Sequence, residues 1–149
     1  MRSTTSAAIA EKVAVFYADA SALVKLVREE PESGALRTYL EGGDLVSSEL
    51  VLTEIPRAVR RAAAQDPALP LEPLLERAGE VLDALALRPL DRALLAGAGA
   101  LAEPALRALD AVHVASAVGL DPIEAFVTYD SRQAAAARLA GLRTMAPGS

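Results

Sequence analysis

Four acidic residues of this chain sit where acids are expensive. Asp19, Glu54, Asp110 and Asp130 are embedded in "FYADASALVKL", "LVLTEIPRAV", "LRALDAVHVA" and "AFVTYD", among small or apolar neighbours. A carboxylate beside a core is costly unless something pairs with it or coordinates it. Each acid has an ordinary structural explanation. Asp19, Asp110 and Asp130 can cap a following helix, which is typically worth ~1 kcal/mol. Glu54 can pair with Arg57, worth roughly 0.2–0.5 kcal/mol on an exposed helix. If the four converge instead, their repulsion raises their pKa values and destabilises the fold unless a cation sits among them. A divalent ion would relieve that repulsion, orient and acidify a water, and neutralise charge on a phosphate.

The rest of the composition narrows the chemistry. There is no cysteine among the 149 residues, which excludes disulfides, thiolate nucleophiles and cysteine-ligated zinc. The single histidine, His113, excludes a site built on two or three histidines from one chain, and no G-x-S-x-G elbow is present. What remains in quantity is carboxylate, 20 Asp and Glu in all, and carboxylate oxygens suit magnesium and manganese. The net charge of −5 argues against a generic nucleic-acid binder. It leaves a nuclease open, because a metal at an acidic site reverses the local sign.

These acids need a scaffold that brings them together. "VAVFYA" (13–18) reads as a short buried strand ending at Asp19, followed by a helix through "SALVKLV". A second helix begins at Pro31 and ends at the Gly42–Gly43 pair, and "DLVSS" (44–48) is a second strand. Ser48 is placed to cap a third helix running to about Ala64, which Pro56 should kink. After a three-proline turn come a helix to about Ala86, a strand around Leu87 and a helix from Asp91. Residues 107–118 form an apolar helix, "AFVTY" a strand ending at Asp130, "RQAAAARLA" a helix closed by Gly141, and "LRTM" a last strand. Strands alternating with helices indicate an α/β domain with a mainly parallel sheet. Ligands bind such sheets outside the carboxyl ends of the strands. Asp19 and Asp130 both stand at such ends and should reach one edge.

The length suits one domain, read as residues 13–149, with a Ser/Thr-rich N-terminal tail at 1–12. No apolar run is long enough to span a bilayer and no targeting signal is evident, so the expected location is the cytoplasm, with no membrane partner.

The fragments "FYADASALVKL", "SSELVLTEI", "LRALDAVHVASA" and "FVTYDSR…AA…GL…APG", in that order, resemble the PIN-domain ribonucleases, specifically VapC-type toxins of bacterial toxin–antitoxin pairs. The resemblance covers about Val13 to Gly148, with the acids separated by 35, 56 and 20 residues. It implies a PIN-like three-layer α/β fold and a metal-dependent endoribonuclease that cleaves single-stranded regions of RNA. By that resemblance Asp19, Glu54, Asp110 and Asp130 are the catalytic acids. Asp19 and Asp110 are the principal ligands of Mg2+ or Mn2+, and Glu54 and Asp130 complete the site directly or through water. Ser21 and Thr128 match small hydroxyl positions that orient carboxylates or the scissile phosphate. A cognate VapB-type antitoxin and a homodimer are the implied partners.

Several residues keep two readings. His113 shares a helix face with Asp110 and so is a conceivable metal ligand, but the resemblance places a histidine there without metal duty. Arg57, Arg60 and Arg61 form a stripe that either guides RNA phosphates or is a solvated helix face, and Lys25 and Arg28 have the same two readings. Rival functions fit less well. A phosphoacceptor receiver needs a lysine on a late strand, and the only lysines are Lys12 and Lys25. A haloacid-dehalogenase-like phosphatase needs a second aspartate where Ser21 stands. A catalytically silent PIN-like interaction module would not require all four acids.

Overall fold

A computed structural model describes residues 13–149. The tail reading for residues 1–12 lies outside the described residues. The chain alternates strands and helices in the order β1 (Val15–Ala18), α1 (Ala20–Val27), α2 (Ser33–Leu40), β2 (Asp44–Ser48), α3 (Val51–Gln65), α4 (Leu71–Asp83) and β3 (Ala86–Arg88). The second half continues with α5 (Arg92–Gly99), α6 (Ala108–Leu120), β4 (Ala125–Val127), α7 (Ser131–Leu139) and β5 (Thr144–Met145). The five strands pair in parallel in the order β3-β2-β1-β4-β5.

Three layers follow from the two-residue period of a strand. Phe16 and Ala18 of β1, with Ala125 and Val127 of β4, face a core completed by Leu23, Leu36, Val51, Ile55 and Val81 of α1 to α4. Tyr17 and Phe126 point the other way, into a second core with Val114 and Ala117 of α6 and Ala136 and Ala137 of α7. Their rings stack at 5.2 Å and 15°, an aromatic pair worth about 0.5–1.5 kcal/mol beyond its buried area. Both faces of the central strands are thus covered, as an all-parallel sheet requires.

The order of the strands reverses direction at β1. The chain winds from β1 through β2 to β3 on one side, then returns to place β4 and β5 on the other. Such a switch point opens a crevice at the carboxyl ends of its two strands. Here those ends are Ala18, followed by Asp19, and Val127, followed by Thr128, and Ala18 and Val127 are register partners.

Two local expectations are corrected. Ser48 does not cap α3. Its Oγ accepts from Leu50 N in the turn before the helix, and the N-cap position is Leu50. The second helix starts at Ser33 rather than Pro31, because the Ser33 hydroxyl is drawn back to Lys25 O at 2.6 Å. Helix α3 runs through Pro56 to Gln65.

Candidate active site

Asp19 is 3% exposed and sits at the switch point. The Ser21 hydroxyl donates to its Oδ1 at 2.6 Å, and the Ala22 N–H donates to the same oxygen at 3.2 Å. The Thr128 hydroxyl donates to Oδ2 at 2.6 Å, and Gln133 Nε2 donates to it at 3.0 Å. A carboxylate has about four lone-pair directions, and all four are engaged by this chain. Asp19 therefore caps α1 and also anchors a polar network. The network is cross-braced, with Tyr129 N donating to Ser21 Oγ at 2.9 Å and the Ser21 and Thr128 hydroxyls 3.2 Å apart.

The other three acids stand at three further helix starts. Asp130 caps α7, its Oδ1 accepting from Arg132 N and Gln133 N. Asp110 lies in the first turn of α6 and Glu54 in the first turn of α3. Burial pushes the Asp110 carboxyl above its usual range, and the charges of Asp130, Asp19 and Glu54 push the same way while His113 opposes them. That field is the electrostatic signature of convergence: three acids from separate elements act on the fourth.

Glu54 does not pair with Arg57. Its Oε1 accepts from His113 Nε2 at 2.7 Å, and His113 Nδ1 lies 2.7 Å from the Tyr17 hydroxyl. Burial drives the Tyr17 phenol far above its ordinary pKa, so it keeps its proton. A carboxylate oxygen only accepts, so His113 Nε2 carries a proton toward Glu54. With both ring nitrogens committed and the ring 1% exposed, His113 serves as a brace rather than a metal ligand. Tyr17 reaches it because strand alternation turns Tyr17 toward α6.

Lys25 is not a free cation either. Its Nζ bonds Glu30 at 2.7 Å and Glu32 at 2.8 Å and lies 4.8 Å from the centre of the Tyr129 ring. Arg28 stands 3.9 Å from Glu30. Arg57, Arg60 and Arg61 are exposed.

Gln133 and Tyr17 complete the arrangement, and nothing in the sequence singles them out. The available signal for Gln133 is weak. It is the amide of an otherwise alanine-rich stretch, three residues after a capping aspartate. Its Oε1 is buried without a hydrogen-bond partner among the described residues, on the same amide whose nitrogen holds Asp19.

The family model of the PIN domain matches residues 16–139, spanning all four acids and both faces of the sheet. The chain belongs to the PIN-domain family. Its PIN relatives include Ribonuclease VapC47 of Mycobacterium tuberculosis (strain CDC 1551 / Oshkosh), 36% identical over 141 residues, covering 91% of this chain and 98% of that protein. Ribonuclease VapC35 of the same strain is 38% identical, covering 90% and 98%. Ribonuclease VapC46 of strain ATCC 25618 / H37Rv is 39% identical over 138 residues, covering 91% and 99%. The PIN fold, expected from the sequence, is thus the fold of the chain.

Among the described residues no three acids or histidines form a preformed metal cage. The donor chemistry nonetheless fits a hard cation of the magnesium type, which is bound through one or two carboxylates and keeps several waters. The crowded acids supply the charge, and the unpartnered Gln133 oxygen supplies a further buried acceptor beside Asp19.

Proposed function

We propose that this PIN domain is the toxin of a type II toxin–antitoxin pair, an endoribonuclease that cleaves single-stranded RNA with a divalent cation, Mg2+ or Mn2+. The observation that carries it is Asp19, 3% exposed at the switch point and held by four donors, with Asp130, Asp110 and Glu54 at the starts of three further helices. The likeness to proteins named ribonuclease supports the reaction class.

In this reading Asp19 and Asp110 hold the cation, and Glu54 and Asp130 complete the site. When bound, the cation supplies charge neutralisation at the scissile phosphate and an acidified water for attack on phosphorus. The chain's own groups do the rest. Ser21 and Thr128 keep the Asp19 carboxylate in place, and either hydroxyl can turn its proton to the other, 3.2 Å away, releasing an oxygen of Asp19 to the metal. Tyr17 and His113 fix Oε1 of Glu54, leaving its second oxygen to orient water. Asp130 spends one oxygen on the start of α7 and keeps the other for the site.

The partners in this reading are RNA, a VapB-type antitoxin and a second copy of the chain. Exposed Leu95 on α5 and Val118 on α6 support a homodimer. The test is cleavage of a single-stranded RNA by wild type, Asp19→Asn and Asp110→Asn. Wild-type rates in either folded variant would reject the assignment.

A further inference from the structure

The arginines of this chain divide by position. Arg28, Arg37, Arg77 and Arg143 each have a carboxylate within 4.0 Å. Arg88 donates to Ser116 O and Arg138 to the Thr144 hydroxyl. Arg57, Arg107 and Arg132 are exposed and have no carboxylate within 4.0 Å among the described residues. Arg60, Arg61 and Arg92 are likewise exposed and unpaired there, but none lies within one helical turn of a site acid.

Arg57, Arg107 and Arg132 accompany three of the acids. Arg57 lies one turn beyond Glu54 on α3, and Arg107 is the N-cap of α6, three residues before Asp110. Arg132 stands in the first turn of α7, two residues after Asp130. Three separate helix starts therefore each carry an exposed arginine beside a site acid in sequence. Arg57 and Arg107 stand three residues from Glu54 and Asp110, the spacing at which Arg77 pairs with Glu80. Here Glu54 turns to His113 and Asp130 to helix N–H groups, and among the described residues none of the three guanidiniums pairs with a carboxylate.

A chain of net charge −5 whose centre is four acids repels a polyanion. Phosphates approaching that centre need cations on either side of it. Arginine suits the task, because its planar fork binds phosphate oxygens in pairs. We propose that Arg57, Arg107 and Arg132 form a cationic rim that grips RNA phosphates flanking the scissile one. The inference rests on the RNA-cleaving reading above and adds the residues that dock the substrate.

Two triple variants carry the same loss of charge: Arg57→Gln/Arg107→Gln/Arg132→Gln at the rim, and Arg37→Gln/Arg77→Gln/Arg143→Gln among the paired arginines. Binding of a fluorescein-labelled single-stranded RNA of mixed sequence is followed by anisotropy in EDTA over a range of salt. Three lost phosphate contacts, at about 0.7 each, lower the slope of log K against log salt by about 2, and low-salt binding weakens about tenfold or more. The control triple keeps the wild-type slope. The KM for cleavage rises in the rim variant while kcat holds. Equal losses in both triples, or none in either, overturn the rim, as does wild-type protein that fails to bind RNA in EDTA. Tighter binding of a deca-glutamate peptide than of RNA would assign the rim to an acidic protein partner and also overturn it. Should the triple misfold by circular dichroism, the three single variants carry the test, each expected to lower the slope by about 0.7. If wild type cleaves RNA while the rim variants bind normally, the rim alone falls. If wild type does not cleave RNA, the nuclease reading itself falls.

Discussion

His113 Nε2 stands 2.7 Å from Glu54 Oε1, joining two helices across 59 residues of sequence. The same ring meets the Tyr17 hydroxyl on its other side. A strand, α6 and α3 are therefore tied through one imidazole, and Glu54 is the member of that chain facing outward. His113→Ala should cost roughly 3–5 kcal/mol, combining a cavity with a buried phenol left unpaired. Tyr17→Phe keeps the stack on Phe126 and should cost roughly 1–2 kcal/mol. Both should lower kcat more than they change KM. Denaturant unfolding with initial-rate kinetics checks this, and an unchanged kcat in folded His113→Ala would show that Glu54 works without its brace.

The raised pKa of Asp110 makes a prediction about pH. Burial and the neighbouring acids favour its protonated form in the native state. Between the usual carboxylate range and the raised value, the folded chain holds a proton that the unfolded chain has lost. Stability therefore falls as pH rises through that window, and the full penalty persists above it. Asp110→Asn removes the penalty. In EDTA its Tm should match wild type near about pH 3 and exceed it at neutral pH. A variant less stable than wild type at neutral pH would contradict the crowding.

Metal should act in the opposite sense. Magnesium or manganese should raise the Tm of wild type by mass action. It should leave Asp110→Asn nearly unmoved. EDTA should abolish RNA cleavage and added metal should restore it. Full activity after thorough demetallation would remove the cation from the mechanism.

Asp19 has four donors and no spare acceptor direction, so its amide isostere cannot fit neutrally. In Asp19→Asn the new NH2 group would face either Ser21 and Ala22 or Thr128 and Gln133, all of which donate to the native carboxylate. Asp19→Asn should therefore lose about 1–3 kcal/mol as well as at least about a hundredfold in cleavage. Thr128→Val, which removes one hydroxyl, should lose about 1–3 kcal/mol with a smaller loss of rate. Equilibrium unfolding of both variants, with cleavage rates beside it, tests the ordering.

The fold and the four acids are legible in the sequence because they are written locally. Period-two strands and apolar helices mark themselves, and Asp19 falls where β1 stops, whereas β4 stops at Val127 and Asp130, expected at a strand end, caps α7 three residues later. What escapes is set by contact across the chain. Gln133 meets Asp19 over 114 residues, and only the pairing of β1 with β4 makes them neighbours. Tyr17 reads as one more core aromatic until alternation is fixed to a particular helix. Lys25 reads as a surface cation because Glu30 and Glu32 lie beyond the helix end, where the chain folds back onto it. The capping role expected of Ser48 failed for a smaller reason: the turn before α3 is one residue tighter than the pattern allows for, and its hydroxyl is used there.

The four donors around Asp19 also bear on when the site comes into being during synthesis. Ser21 and Ala22 are made almost together with Asp19, whereas Thr128 and Gln133 follow it by 109 and 114 residues. Until β4 emerges, the central strand β1 lacks one of its two neighbours and Asp19 lacks half its supports. A nascent chain thus carries its acids without the arrangement that makes them useful.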